Sequence, residues 1–397
     1  MTSSTEFDRD ALLAKGQERA GGLTELGPGE FLEGLDRFVD SLNGEARLND
    51  VGRYIAEERI LLHVKNRLEY VQDRARYPEI AQVDVVRPVF IVGLPRTGTT
   101  ILHDILNQDP ANRAPLTWEL MFPSPPPDAS IGNDDPRVAA CQATIPTGDH
   151  HSEMFKAMHP MGATLSQECV VMMGETMCTP LFHNQLRVPS YQDWVDDEAD
   201  YSAVYAFHRQ QLQHLWWHKP GARWMLKTGA HMWGLEQLLE TYPDARIVFT
   251  HRDPVKSLTS YASLTALVRS RGSDDVDPFE IAADWSARLK KMLERTMAVR
   301  DARDHPDAIF YDMYFSDFVA DQFVEIEKIY DALDLPMSDV GAVAMRTYVA
   351  EHPKGKDGIH RYRPEEYGID AETVRKEFAP YIERFGLVPE AGDMDAV

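Results

Sequence analysis

Between Arg87 and Gln108 the sequence reads RPVFIVG, then LPRTGTT, then ILHDILNQ. A short continuous apolar run rich in β-branched residues and closed by glycine reads as a strand buried on both faces, and the segment after the loop is amphipathic at helical spacing. Strand, glycine-bearing loop and helix in immediate succession direct the chain toward an α/β fold. The rhythm returns further on, with RWMLK (223–227) as a strand, HMWGLEQLLETY as a helix, ARIVFT (245–250) as a strand and a helix from Pro254 to Arg271. A long helix from Pro278 to Arg303, a strand AIFYDMY (308–314) and a helix from Phe318 to Leu333 ended by Pro336 follow. Alternation of this kind predicts a central parallel sheet flanked by helices in three layers.

Residues 30–78 carry apolar positions at helical spacing without an internal proline, which predicts a helical N-terminal extension over residues 1–80. Residues 81–397 are expected to form the α/β domain, with a helical insertion at about 112–220 that includes the proline-rich stretch from Thr117 to Pro136. With 43% hydrophobic and 26% charged residues the chain must bury a core. Its 64 acidic against 41 basic residues give a net charge of −23, which argues against general nucleic-acid or anionic-membrane binding, so an anionic ligand needs a locally basic pocket. Cys141, Cys169 and Cys178 form neither a disulfide framework nor a C-x-x-C knuckle. His150, His151 and His159 lack metal-ligand spacing, and no metal is expected. With no apolar export segment at the N-terminus and no stretch long enough to span a membrane, a cytoplasmic location is expected.

The loop GLPRTGTT, Gly93 to Thr100, has the spacing of the phosphate-binding motif G-x-x-x-x-G-K-[ST], with Thr99 where the lysine should be. Loss of that lysine argues against ordinary phosphoryl transfer, while the anion cradle survives. Backbone N–H groups of Thr97, Gly98, Thr99 and Thr100 at a helix N-terminus would meet a phosphate, and Arg96 supplies positive charge. The fold is therefore expected to be P-loop-like. Lys227 ends a strand and His231 opens the next helix, at the carboxyl edge where α/β sheets bind ligands. Arg252 ends the following strand, and Ser260 lies two helical turns beyond it, so that the two can share one phosphate. The windows 87–103, 218–235 and 254–273 contain no acidic residue.

These residues resemble the sulfotransferases that use 3′-phosphoadenosine 5′-phosphosulfate (PAPS), particularly the bacterial branch with P-R-[ST]-G-T-T loops. PRTGTT (95–100) is similar to the family's 5′-phosphosulfate loop, and HRDPVKSLTS (251–260) to its 3′-phosphate motif, with Arg252 and Ser260 at the family's separation. LKTGAHM is similar to the lysine-threonine-histidine segment, with two extra residues between Thr228 and His231. KGKDG (354–358) matches the late K-G-x-x-G element, bringing Lys354 and Gly355 to the 3′-phosphate, and FSDFVADQ places Phe315 where the family has tyrosine. The resemblance covers about residues 87–370.

The resemblance implies in-line transfer of a sulfuryl group from PAPS to a hydroxyl or amine of a small acceptor, without a metal. Arg96 and Lys227 would stabilise the leaving phosphate, and His231 would act as general base; Glu168 in the apolar setting SQECVVMM is the rival base, with structural pairing as its expected role. The methionine-rich stretch from Met154 to Met177, with Phe155, Phe182, Trp216 and Trp217, offers an adaptable pocket for an aromatic or lipophilic alcohol, or else plain core packing. A homo-oligomer is compatible with the sequence. The alternatives are a P-loop nucleotide kinase or ATPase and a non-catalytic nucleotide-binding protein. If one bisphosphorylated adenosine is gripped at both ends, Arg252 must lie within a nucleotide's length of Gly98 and must not be consumed by a carboxylate.

Overall fold

The computed structural model describes residues 6–145, 154–155, 161–352 and 362–390. Five parallel strands, β1 (Val89–Gly93), β2 (Asn112–Arg113), β3 (Arg223–Lys227), β4 (Arg246–His251) and β5 (Phe310–Tyr314), form one sheet in the order β2-β3-β1-β4-β5. The chain leaves β1 to one side for β2 and β3 and returns on the other side for β4 and β5. That reversal opens a crevice at the carboxyl ends of the central strands. In the register, Ile91 stands opposite Lys227 and Gly93 opposite Thr250, so the loop after β1 begins level with the ends of β3 and β4.

Strand alternation divides the buried side chains between two cores. Val89 and Ile91 face a smaller core with Met225, Val248, Leu102 and Ile105, beneath the helix Thr99–Leu106. Phe90 and Val92 face a larger core that continues without a break into the N-terminal helices through Phe31, Phe38, Ile60 and Val64. The helical reading of residues 30–78 corresponds to Phe31–Glu45 and Asp50–Arg76, and a further helix, Arg9–Arg19, precedes them.

Two expected helices differ. The stretch from Phe318 to Leu333 is broken into Phe315–Ala320 and Gln322–Ala332, because Asp321 adopts extended backbone and its carboxylate accepts the N–H groups of Phe323 and Val324 as a cap. After β3 the chain makes only a 3₁₀ turn at Gly229–Met232, and the regular helix begins at Leu235. The two-residue β2 and the helices Asp339–Glu351, Ala371–Glu377 and Ala379–Phe385 are additions to the sequence reading.

Candidate active site

Two glycines shape the loop. At Gly93 (φ +152°) an added Cβ would stand 2.1 Å from Thr250 Oγ1, so only glycine lets the end of β1 press against β4. Gly98 (φ +87°) caps the helix Thr99–Leu106, and a Cβ there would lie 3.0 Å from the ring of Phe315. The Thr97 hydroxyl donates to the Leu94 carbonyl at 2.8 Å and pairs with the Thr250 hydroxyl, so it braces the loop rather than facing a ligand. Thr99 opens the helix and is half-buried.

The basic groups converge on this turn. Arg252 donates to the backbone carbonyl of Arg96 at 2.9 Å, and its guanidinium carbon lies 4.0 Å from the centre of the Phe315 ring that covers Gly98. Arg96 Nε in turn lies 3.3 Å from Ser260 Oγ. Arg96, Gly98, Arg252 and Ser260 thus form one cluster, with Arg252 well within a nucleotide's length of the glycine turn. Burial lowers the pKa of Arg96; Arg252 lowers it further, while Tyr362 and Glu168 oppose the shift, so two cations are held together against their mutual repulsion.

The expectation that Arg252 is free of carboxylates does not hold. Its Nε and Nη2 donate to the two carboxylate oxygens of Glu390 at 2.9 and 3.0 Å, a bidentate pair of the kind arginine forms with carboxylates or phosphates. The Glu390 N–H also donates to Asp253 Oδ2 at 3.1 Å, and Asp253 receives Arg375 at 2.8 Å. The position of Glu390 in the C-terminal segment left no local pattern in the sequence from which to foresee it.

Lys227 is 2% exposed at the end of β3, with Nζ 3.1 Å from Thr100 Oγ1 and 2.5 Å from Glu168 Oε1. The segment carrying Glu168 is fixed by neighbouring bonds: Ser166 Oγ donates to Asp104 Oδ1 at 2.7 Å, and the Gln167 N–H donates to the Pro115 carbonyl at 2.8 Å. Glu168, Lys227 and Thr100 are therefore contiguous at the mouth of the loop.

His231 is not part of this constellation. The 3₁₀ turn carries its side chain to the opposite face of β1 from the helix Thr99–Leu106, where the ring is wholly buried 4.9 Å from Phe90 with Nδ1 3.0 Å from the Tyr205 hydroxyl. Burial drives its pKa well below the ordinary value. A base must come within hydrogen-bond reach of the proton it removes, and in this structure the His231 ring is enclosed by Phe90 and Tyr205 rather than turned to the loop. The proposed acceptor lining is likewise mostly core: Met172, Met173, Met177 and Phe182 are buried, with Phe182 stacked 4.5 Å from Phe38 of the N-terminal helices. Trp216 packs 5.0 Å from Trp224 at the amino end of β3, away from Lys227. Lys354, Gly355, His150, His151 and His159 lie outside the described residues.

With this geometry in place, comparison with known proteins identifies the class. Residues 88–339 match the model of the sulfotransferase family, and the chain belongs to that family of transferases. Among its relatives, the omega-hydroxy-beta-dihydromenaquinone-9 sulfotransferase Stf3 of Mycobacterium bovis is 24% identical over 316 residues, 75% of each chain. The same enzyme of Mycobacterium tuberculosis matches equally. Sulfotransferase STF9 from Mycobacterium avium is structurally similar, with a TM-score of 0.87 and 27% identity over 99% of this chain and all of that one. Sulfotransferase STF1 from Mycobacterium tuberculosis H37Rv gives 0.82 and 29% identity over 94% and 99%. The three-layer α/β architecture is thereby that of a sulfotransferase. No helix among the described residues is long and apolar enough to cross a membrane.

Proposed function

We propose that the protein transfers a sulfuryl group from PAPS to a hydroxyl of a small lipophilic acceptor, with Glu168 rather than His231 as the base. The observation that carries this reading is the convergence of Arg96, Arg252 and Ser260 on the turn at Gly98; the Glu390 pair on Arg252 runs against it and must be displaced before a phosphate can bind there. A guanidinium that grips a planar carboxylate is equally suited to a phosphate oxygen pair. Arg252 and Ser260 would hold the 3′-phosphate, with Lys354 and Gly355 as further contacts; the loop Arg96–Thr100 would hold the 5′ end. PAPS supplies an activated sulfuryl group and leaves as 3′-phosphoadenosine 5′-phosphate (PAP).

The chain's own part is electrostatic and positional. Lys227 and Arg96 neutralise charge that accumulates at the loop, a contribution of roughly 3–4 kcal/mol for a well-placed donor in other enzymes. Glu168 accepts the acceptor's proton, and contact with Lys227 keeps the base beside the cation that faces the leaving group. A kinase reading lacks comparable support: Asp253, the carboxylate after β4, caps the next helix through the Val255 N–H and pairs with Arg375. A relative named for omega-hydroxy-beta-dihydromenaquinone-9 favours a lipophilic alcohol over an amine as acceptor. Incubation with isotopically labelled PAPS and hydroxylated isoprenoid quinones, followed by mass spectrometry, tests the reading. A labelled lipid is expected; label released only as inorganic sulfate would count against this acceptor class.

The Glu390 contact predicts competition. Binding of a 3′-phosphate at Arg252 must displace Glu390, so Glu390→Ala is expected to tighten PAP by about fivefold, corresponding to roughly 1 kcal/mol for a partly exposed ion pair. Calorimetric titration of the variant checks this. Unchanged affinity would mean that the phosphate and Glu390 do not share Arg252.

A further inference from the structure

Behind β1, Cys169, His208 and His231 come together from three separate elements: the short helix Cys169–Met172, the helix Tyr201–Trp216 and the turn after β3. Their ligand atoms all lie within 4.8 Å of one another, and all three residues are buried. We propose that these side chains form a binding site for a single soft d¹⁰ metal ion, Cu(I) or Zn²⁺, which ties the segment carrying Glu168 to the central sheet.

The orientation of the imidazoles carries the inference. His231 Nδ1 lies 3.0 Å from the Tyr205 hydroxyl, and His208 Nδ1 lies 2.8 Å from the Tyr242 hydroxyl. The Tyr205 O–H is also 3.5 Å from the His231 carbonyl, which leaves its oxygen to accept from Nδ1–H. A partner on Nδ1 orients the ring, and where Nδ1–H donates to the tyrosine oxygen the Nε2 lone pair is left to face a metal, as in sites where a second group orients the ligating histidine. In both residues Nε2 is buried without a hydrogen-bond partner among the described residues. Two orphaned nitrogens beside one sulfur are costly in a metal-free core and are satisfied together by one cation.

The chemistry suits a soft ion. Two imidazoles and a thiolate match Cu(I) and Zn²⁺ rather than magnesium or calcium. Binding forms the metal–sulfur bond and releases the Cys169 thiol proton to solvent. With the thiolate, Cu(I) leaves the buried site neutral, whereas Zn²⁺ leaves one positive charge, so Cu(I) is expected to bind more tightly. Metal–nitrogen and metal–sulfur bonds of about 2.0–2.3 Å set ligand atoms roughly 3.6 Å apart in a trigonal arrangement, so closure requires movement of at most about 1 Å. Cys169 directly follows Glu168, and metal occupancy stiffens that carboxylate's position.

The full-length protein is titrated anaerobically with Cu(I), and separately with Zn²⁺, and metal retained through gel filtration is counted by mass spectrometry. One ion per chain is expected, with X-ray absorption showing one sulfur and two nitrogen neighbours, and Cys169→Ala is expected to lose affinity at least about tenfold. Should Cys169→Ala fail to fold, the absorption spectrum of the wild type decides the point. Retention of neither ion by the wild type, equal retention by a folded Cys169→Ala, or a spectrum without sulfur would overturn the site and leave the cluster as core packing.

Discussion

Glu168→Gln is expected to lower kcat for sulfuryl transfer by about 10²–10⁴-fold, the range associated with loss of a positioned general base. The amide keeps the size of the side chain and its place beside Lys227 Nζ, 2.5 Å away in the wild type, but it cannot accept the proton. Because the substitution also removes a negative charge from a site that receives an anionic donor, PAP affinity is expected to stay the same or rise. That separation of kcat from binding distinguishes a base from a residue that merely supports the loop. Single-turnover kinetics with saturating donor, together with a PAP titration of the same variant, reads both quantities. A kcat within threefold of the wild type would return the base to another group.

The second large effect belongs to Arg252. Arg252→Met keeps the stem that packs on Phe315, whose ring centre is 4.0 Å from the guanidinium carbon, and removes the charged fork. Charge-assisted hydrogen bonds are worth about 1.5–3 kcal/mol, which corresponds to a PAP affinity about 10–150-fold weaker. In the free protein the fork is already engaged by Glu390, so part of that energy is spent breaking the internal pair. The gain expected for Glu390→Ala should therefore vanish in the Arg252→Met background, a coupling that a double-mutant cycle measures directly. Independent effects of the two substitutions would separate Glu390 from the donor site.

Much of this arrangement is legible locally. Gly93, Gly98 and the polar residues between them announce a tight strand-to-helix turn because the backbone there needs conformations open to glycine, and that requirement is written within eight positions. Arg252 and Lys227 are legible as strand-end residues, since a parallel sheet sends its carboxyl ends to one edge. For His231 the strand and turn make the sheet edge legible but not the face: a 3₁₀ turn in place of a helix packs the ring in the aromatic core. Glu390 and the Cys169–His208–His231 cluster depend on contacts between distant segments, for which spacing along the chain offers no signal.

Titration of the wild-type protein with PAP, compared under the same conditions with ATP and magnesium, tests the two-ended nucleotide grip most directly. The geometry of Arg96, Arg252 and Ser260 predicts one PAP per chain, bound at least about tenfold more tightly than ATP with magnesium, a difference of about 1.4 kcal/mol for the added 3′-phosphate contact. Equal or tighter binding of ATP with magnesium would contradict it.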